Sequence, residues 1–281
     1  MAQRRIKLGL NTWSGYSRPV LRGFLRYAAS RPDWILAGRG LQGLHGLRAG
    51  SAQSEFHAGI VDTSEREVWM HMAARGVPLV SVREQDIVPG EAKVLPDNVA
   101  AGRLAADHLI DRGFERFLFV GRLDQGAARQ RYRGFRERID EVGGDCMQWP
   151  EQPPERGTSH DAPSGQWIAQ LETPCGVFCW NDETAAHFIR TAQDAGLRVP
   201  EQLAVVGLHN DELVCEMTRP GISSVELPLD PIGYEAAALL DRMMEGEPAP
   251  PEPLRLAPLR VVERGSTRTV AVADPLVTDV L

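Results

Sequence analysis

Short apolar runs that recur between helix-length segments constrain this chain more than any other feature. They are Ile6–Leu10, Trp34–Ala37, Ala58–Val61, Val77–Val82, Phe117–Gly121, Gly176–Trp180 and Leu203–Gly207. Short runs with little polar alternation suit strands buried on both faces. Between them lie predicted helices: one through Tyr27, then Glu65–Arg75, Asp97 to Arg112, Phe135–Val142 and Glu183–Ala195, the last closed by Gly196. Alternating strands and helices build a parallel, doubly wound α/β sheet, and two such sheets are expected in 281 residues.

The stretch 94–135 is organised as helix, strand, polar loop and helix. Asp97 is placed to accept from the first free amide N–H groups of its helix. Ala101, Leu104, Ala105, His108 and Leu109 fall on one buried stripe, and Gly113 supplies the left-handed residue that ends it. The strand Phe117–Gly121 then delivers the chain into Arg122–Arg133, which carries four arginines and no apolar reason to hold them. A buried strand opening onto a charged tip is where an α/β protein usually places its ligand.

Elsewhere, Gly38–Ser54 is glycine-rich and poorly periodic, and 147–174 should be mostly irregular apart from a helix around Gly165–Leu171. Ser223–Leu227 and Leu254–Glu263 are expected to be extended, with an amphipathic helix at Pro231–Met244 and a proline-rich turn at 246–253. Asp274-Pro275 opens a helix whose stripe, Leu276, Val277, Val280 and Leu281, is one or two turns long, so a further domain is expected after residue 281.

Composition narrows the function classes. A net charge of −7 lacks the basic footprint of a nucleic-acid binder in this chain itself. Cys146, Cys175, Cys179 and Cys215 form no CxxC, which suggests small apolar residues kept reduced, neither a redox pair nor a zinc ribbon. The N-terminus enters a strand directly, without the apolar region of a signal peptide, and no run approaches a membrane span. The cytoplasm is the expected compartment, with no membrane partner.

Several motifs in order, VLPDNVAAGRLAADHLIDRGFERFLFVG, RYRGF, VFCWNDETA, LAVVGLHND and SSVELPLDPIGYEAAALLDRMM, resemble the effector domain of the LacI/GalR family of transcriptional repressors, which is built like the periplasmic sugar-binding proteins. NTWSGYSRPVLRGFLRYA and the ending RVVERGSTRTVAVADPLVTDVL narrow the likeness to the xylose-operon regulators, in which an AraC-type DNA-binding domain follows the effector domain. The resemblance implies a type I periplasmic-binding-protein-like fold of two subdomains joined by three crossovers, residues 1–120 with 228–260 and 121–227 with 261–281. It also implies a small sugar or sugar-acid effector in the cleft between them, a homodimer, DNA contacted through a domain absent from this chain, and no cofactor or metal. Closure on the effector would re-orient the dimer and its DNA-binding domains.

The site residues follow from that resemblance. Arg131, three residues before Gly134-Phe135, matches the arginine that anchors a sugar or purine; a solvated surface arginine is the alternative. Asn181 matches the family's ligand-binding Asn or Asp, while Asp182 suits the N-cap of the next helix. Trp180 could stack on a ligand or belong to the core. His209 departs from the family, most of whose members carry an aspartate there; an imidazole grips one hydroxyl and can charge near neutral pH, and Asn210 could share the role. Arg83 is a second departure, and with Arg131, Arg129 and His209 it would suit a sugar acid or phosphosugar unless it folds out to solvent. Asn11, Trp13, Tyr16 and Arg18 occupy the loop after the first strand; Trp13 and Tyr16 could stack on ligand or pack at an interface. Asp62 is a weaker candidate, and Asp97, His108 and Gly121 are structural.

Other motifs invite over-reading. Gly38–Gly43 is a formal GxGxxG, but Gly46 and Gly50 interrupt the helix a dinucleotide would need. The histidines form no HExxH or HxH, and no GxSxG or placed carboxylate pair argues for an enzyme. The expectation is a regulatory effector domain. A solute receptor for sugar uptake and, less favoured, a nucleotide-dependent oxidoreductase are the alternatives.

Overall fold

The computed structural model describes residues 3–10, 14–38, 56–61, 65–149 and 163–271. It divides into two compact units, Met1–Pro96 with Pro228–Leu256 (unit 1) and Asp97–Leu227 with Ala257–Leu281 (unit 2), so the chain passes between them three times. Unit 1 opens with β1 (Arg4–Leu8), α1 (Ser17–Ala28), β2 (Trp34–Gly38), β3 (Ala58–Val61), α2 (Arg66–Ala74), β4 (Leu79–Ser81) and β5 (Ala92–Pro96). Unit 2 follows with α3 (Asn98–Ile110), β6 (Arg116–Val120), α4 (Gly126–Glu141), β7 (Asp145–Trp149) and α5 (Gly165–Ile168). It continues through β8 (Cys175–Cys179), α6 (Asp182–Asp194), β9 (Leu203–Leu208), α7 (Glu212–Met217) and β10 (Ser223–Glu226). The chain returns to unit 1 for α8 (Leu229–Met244) and β11 (Leu254–Leu256), and to unit 2 for β12 (Arg260–Val262) and a 3-10 turn at Gly265–Thr267.

Each unit holds one six-stranded sheet, with strand orders β2-β1-β3-β4-β5-β11 and β7-β6-β8-β9-β10-β12. All neighbours are parallel except β12, which runs antiparallel to β10. In both sheets the winding reverses beside the first strand, between β1 and β3 and between β6 and β8, and the loops leaving these strands frame the usual ligand position of an open α/β sheet.

The run Phe117–Val120 is continuous because both faces of β6 are buried. Phe117 and Phe119 meet Phe135 of α4 and Phe178 of β8 in an aromatic cluster with ring centroids 5.2 to 6.4 Å apart. Leu118 and Val120 point the other way, into a core with Val177, Phe188, Ile189 and Val205. On the first face α3 and α4 touch backbone to backbone. A Cβ at Gly102 would strike the carbonyl oxygen of Arg131, and one at Gly134 that of Val99. Unit 1 repeats the device, with Gly23 of α1 against Asp230 and Gly233 of α8 against Val20.

Several details differ from or refine the sequence expectations. Ala92–Pro96 is a strand that was not anticipated, and Asp145–Trp149 is an edge strand where irregular chain was expected from 147. Helix α4 begins at Gly126, within the Arg122–Arg133 segment expected to hold a loop and helix start, and small residues let its first turns pack. Leu254–Glu263 is two strands in two different units. The first crossover comes at Pro96–Asp97 instead of residue 120, since α3 packs on β8, β10 and β12 of unit 2, and the last comes at 256–257 instead of 260–261.

Candidate ligand-binding site

Arg131 anchors the candidate site in unit 2. Helix α4 buries Ala128, Arg131, Gly134 and Phe135 along one stripe, so the arginine shares the face that packs on α3 and is only 3% exposed. Its Nε donates to Asn98 Oδ1 (2.9 Å) and its Nη1 to the Trp180 carbonyl (2.6 Å). Nη2 stands 3.5 Å from His209 Nε2, a loose contact at the limit of hydrogen bonding. The guanidinium lies 6.0 Å from the centre of the Trp180 ring. A solvated surface arginine is therefore not what the fold holds: the cation is oriented at the point where the winding reverses, beside β8.

Trp180 follows β8, half-buried, with its indole N–H donating to Thr184 Oγ1 (2.9 Å). The N-cap expected at Asp182 is Asn181 instead. Asn181 is the N-cap of α6, its Oδ1 accepting from the Thr184 amide at 2.8 Å. Asp182 turns inward instead and is fully buried. Its Oδ1 accepts from Ser224 Oγ (2.6 Å) and its Oδ2 from the Asp211 amide (2.8 Å). Burial penalises its charge and pushes its pKa up to about 7, against the lowering effect of those two bonds.

His209 and Asn210 follow β9 with φ of 107° and 56°, two consecutive non-glycine residues in the left-handed region. The side-chain oxygen of Asn210 is tied down. Its Oδ1 accepts from Arg264 Nη2 (2.9 Å), an arginine that also donates to the Ile222 carbonyl (2.9 Å) and pairs with Glu216 (2.7 Å). Arg129 is exposed on α4.

In unit 1, Tyr16 is 7% exposed and donates its hydroxyl to the Val82 carbonyl (2.6 Å). Arg83 lies over the Tyr16 ring, 4.9 Å from its centre, and donates to Ser17 Oγ (3.3 Å). Arg83 thus covers a face of the ring expected to stack on ligand or pack at an interface, and it is half-buried, not folded out to solvent. Asn11, Trp13 and Asp62 lie outside the described residues, as do Arg39–Gly43 of the GxGxxG and the helix start at Asp274-Pro275.

His108 and Asp97 have structural partners. Asp97 caps α3 through the Ala100 amide (2.9 Å), and His108 faces Thr267 and Arg112. The four cysteines are buried and unpaired by disulfides, and burial pushes the thiols of Cys146 and Cys175 up to about 12. Among the described residues no group of three or more His, Cys, Asp or Glu side chains could hold a metal, and no helix is long and apolar enough to cross a membrane.

Sequence reasoning missed Asn98, Ser224 and Arg264. Asn98 had a signal: extending the α3 stripe back one turn from Ala101 reaches it, at a position where a polar side chain must find a buried partner. Arg264 had none, because its partners Asn210 and Ile222 are more than forty residues away in sequence.

The family model of the periplasmic binding protein-like domain matches residues 106–267. Over 98% of its length the chain is 28% identical to the xylose operon regulatory protein of Escherichia coli (strain K12), covering 72% of that protein. It also resembles the solved structure of the xylose-binding transcription activator xylR, with a TM-score of 0.80 and 26% identity over 99% of this chain and 73% of that one. A periplasmic binding protein/LacI transcriptional regulator from Alkaliphilus metalliredigens QYMF, solved in complex with D-xylulofuranose, shares the fold with a TM-score of 0.72 at 20% identity, over 95% of this chain and all of that one.

Proposed function

Because the chain belongs to the family of periplasmic binding protein-like domains, we propose that it is the effector-binding, regulatory part of a bacterial transcriptional regulator, and that its effector is an acidic sugar. The observation that carries the ligand assignment is Arg131, a buried guanidinium oriented by Asn98 and the Trp180 carbonyl beside the point of winding reversal. Among the described residues, Asn98, the Trp180 carbonyl and His209 orient the guanidinium. A carboxylate or phosphate entering at the loose Arg131–His209 contact gains charge-assisted bonds to both groups. Trp180 offers an aromatic face to the C–H surface of a sugar. Two carboxylates of unit 2 are turned to other tasks: Asp182 is held by Ser224 and the Asp211 amide, and Asp211 caps α7 through the Leu213 amide. A wall rich in donors suits an anionic group better than a neutral diol. Arg83 at the tip of β4 is a further candidate in unit 1, with Asn11, Trp13 and Asp62.

The relatives' naming as an operon regulator and a xylose-binding activator supports a regulatory, non-enzymatic role. The wider assignment is a cytoplasmic homodimer that reaches DNA through an AraC-type domain belonging to the same regulator. The effector shifts the regulator between conformations only by its differential affinity for them.

Calorimetric titration with D-xylose, D-glucuronate and a pentose phosphate tests this. An acidic member should bind, and Arg131→Lys, which keeps the charge but loses the planar fork, should weaken it by about tenfold or more. His209→Ala should weaken the same ligand. Equal binding of neutral D-xylose that survives His209→Ala would remove the acidic class, and no binding by any of the three would sink the effector assignment.

A further inference from the structure

The turn that presents His209 is shaped from beneath by a buried carboxylate. Three consecutive amides of this turn are tied down. His209 N–H donates to the Val225 carbonyl (3.1 Å), Asn210 N–H to Ser224 Oγ (3.0 Å) and Asp211 N–H to Asp182 Oδ2 (2.8 Å). A serine hydroxyl has one proton. Since Ser224 Oγ accepts from Asn210, it donates that proton to Asp182 Oδ1, 2.6 Å away. Asp182 therefore holds the turn twice, directly at Asp211 and through Ser224 at Asn210. Asp182 is not a helix cap, because Asn181 does that work. Gly207 makes room for it: a Cβ there would strike Asp182 Oδ1. Two adjacent non-glycine residues at positive φ persist only where their surroundings over-determine them, and this pair of bonds supplies the surroundings.

We propose that Asp182 is the positioning residue of the ligand site: through Ser224 and the Asp211 amide it holds His209 and Asn210 in the left-handed conformation and so places the His209 imidazole beside Arg131. The assignment rests on the effector site proposed above. It has a chemical consequence, because both carboxylate oxygens act as acceptors. A proton on Oδ1 turns the Ser224 hydroxyl around, and one on Oδ2 opposes the Asp211 N–H. The groups acting on Asp182 are Ser224 of β10, the Asp211 amide, Glu183 on its own helix and Cys215 of α7, and burial, with Asp182 adding to it, raises the Cys179 thiol of β8. No cation stands among them; Arg264 acts on the far side, at Cys215. Burial consequently dominates and pushes the carboxyl up to about 7. The turn is held in full above that pH and loosens as pH falls through it.

The test is an amide and imidazole NMR titration of the full chain from about pH 5.5 to 8.5, a range that brackets the midpoint. In the wild type and in His209→Gln the Asp211 amide should titrate with a midpoint near 7. In Asp182→Asn that titration should vanish, with the Asn210 and Asp211 amides at their low-pH positions throughout. Ser224→Ala cuts only the link to Asn210. It should keep the Asp211 titration yet shift the His209 ring resonances, and it serves if Asp182→Asn fails to fold. With D-glucuronate as probe, either variant should weaken binding about tenfold at the high-pH end, the Asp182→Asn deficit disappearing at the low end. An Asp211 amide that does not titrate in the wild type overturns the proposal, as do His209 resonances unmoved by both variants. Failure of D-glucuronate to bind the wild type counts against the effector site alone, and the amide titration still decides the role of Asp182.

Discussion

His108 Nδ1 lies 3.1 Å from Arg112 Nη1, and its Nε2 lies 2.9 Å from Thr267 Oγ1. A guanidinium only donates, so the imidazole proton belongs on Nε2 and the ring is neutral. Burial, reinforced by Arg112, lowers its pKa to about 4. The folded chain therefore binds fewer protons here than the unfolded chain between about 4 and 6.5, and this contribution, about 3 kcal/mol, is complete above 6.5 and lost as pH falls toward 4. Asp182, raised to about 7, has the opposite sign: its folded form holds a proton the unfolded form has released, so stability is lost as pH rises from about 4 to 7. Denaturant unfolding across this range should show the two slopes. The stability gap between wild type and His108→Gln should widen with rising pH, and that between wild type and Asp182→Asn should narrow; parallel gaps would refute both assignments. Buried charge matters in unit 1 too. Lys7 pairs with Glu65 at 3.0 Å and lies 5.1 Å from the centre of the Trp69 ring, so Glu65→Gln should destabilise the chain by about 3 kcal/mol, readable as a lower urea midpoint. Arg131 was singled out by the family resemblance, and the fold holds it buried and oriented. The choice of Asn181 over Asp182 as the N-cap was not legible in the sequence, since either residue caps a helix well. Which one turns inward depends on the space left at Gly207, twenty-five residues away.

Helix contact through glycine is the element-scale device of both units. At Gly102 and Gly134 the backbones of α3 and α4 meet with no room for a methyl group, as do those of α1 and α8 at Gly23 and Gly233. Gly102→Ala or Gly233→Ala must part a helix pair and should cost about 3 kcal/mol, toward the upper end of overpacking penalties. Gly143 is the matched control. Its φ is +73° and nothing lies near an added Cβ, so Gly143→Ala carries backbone strain alone, about 1 kcal/mol. Urea midpoints of the three variants measure the contrast. Central strands were readable because burial on both faces leaves an unbroken apolar run, as in β6 and β9. Strands β5 and β7 were not: Lys93 and Pro96 break the first, and Asp145 and Gln148 the second. The start of α4 was legible only to within the Arg122–Arg133 segment, because its packed face is made of alanine, glycine and an arginine instead of large apolar side chains.

At the scale of the whole molecule, the doubly wound architecture was legible from alternation alone, but the crossovers were not. Helix α3 reads equally well as the end of the first unit, and only its packing on β8, β10 and β12 places it in the second. An effector that binds the folded chain and not the unfolded one should raise its thermal midpoint, by about 2.7 kcal/mol of added stability at a hundredfold excess over Kd, which differential scanning calorimetry reads directly. The thrice-crossed chain has a consequence for its birth on the ribosome. Unit 1 needs α8 to cover α1 and β11 to pair with β5, yet both lie beyond residue 227. At ordinary rates of translation, roughly 5–20 residues per second, the first 96 residues wait on the order of ten to thirty seconds for those partners. During that interval residues 97–227 of unit 2 are made, before the partners of β5 and of the glycine face of α1 exist. A chain stalled before residue 228 therefore lacks both the helix that covers α1 and the strand that pairs with β5.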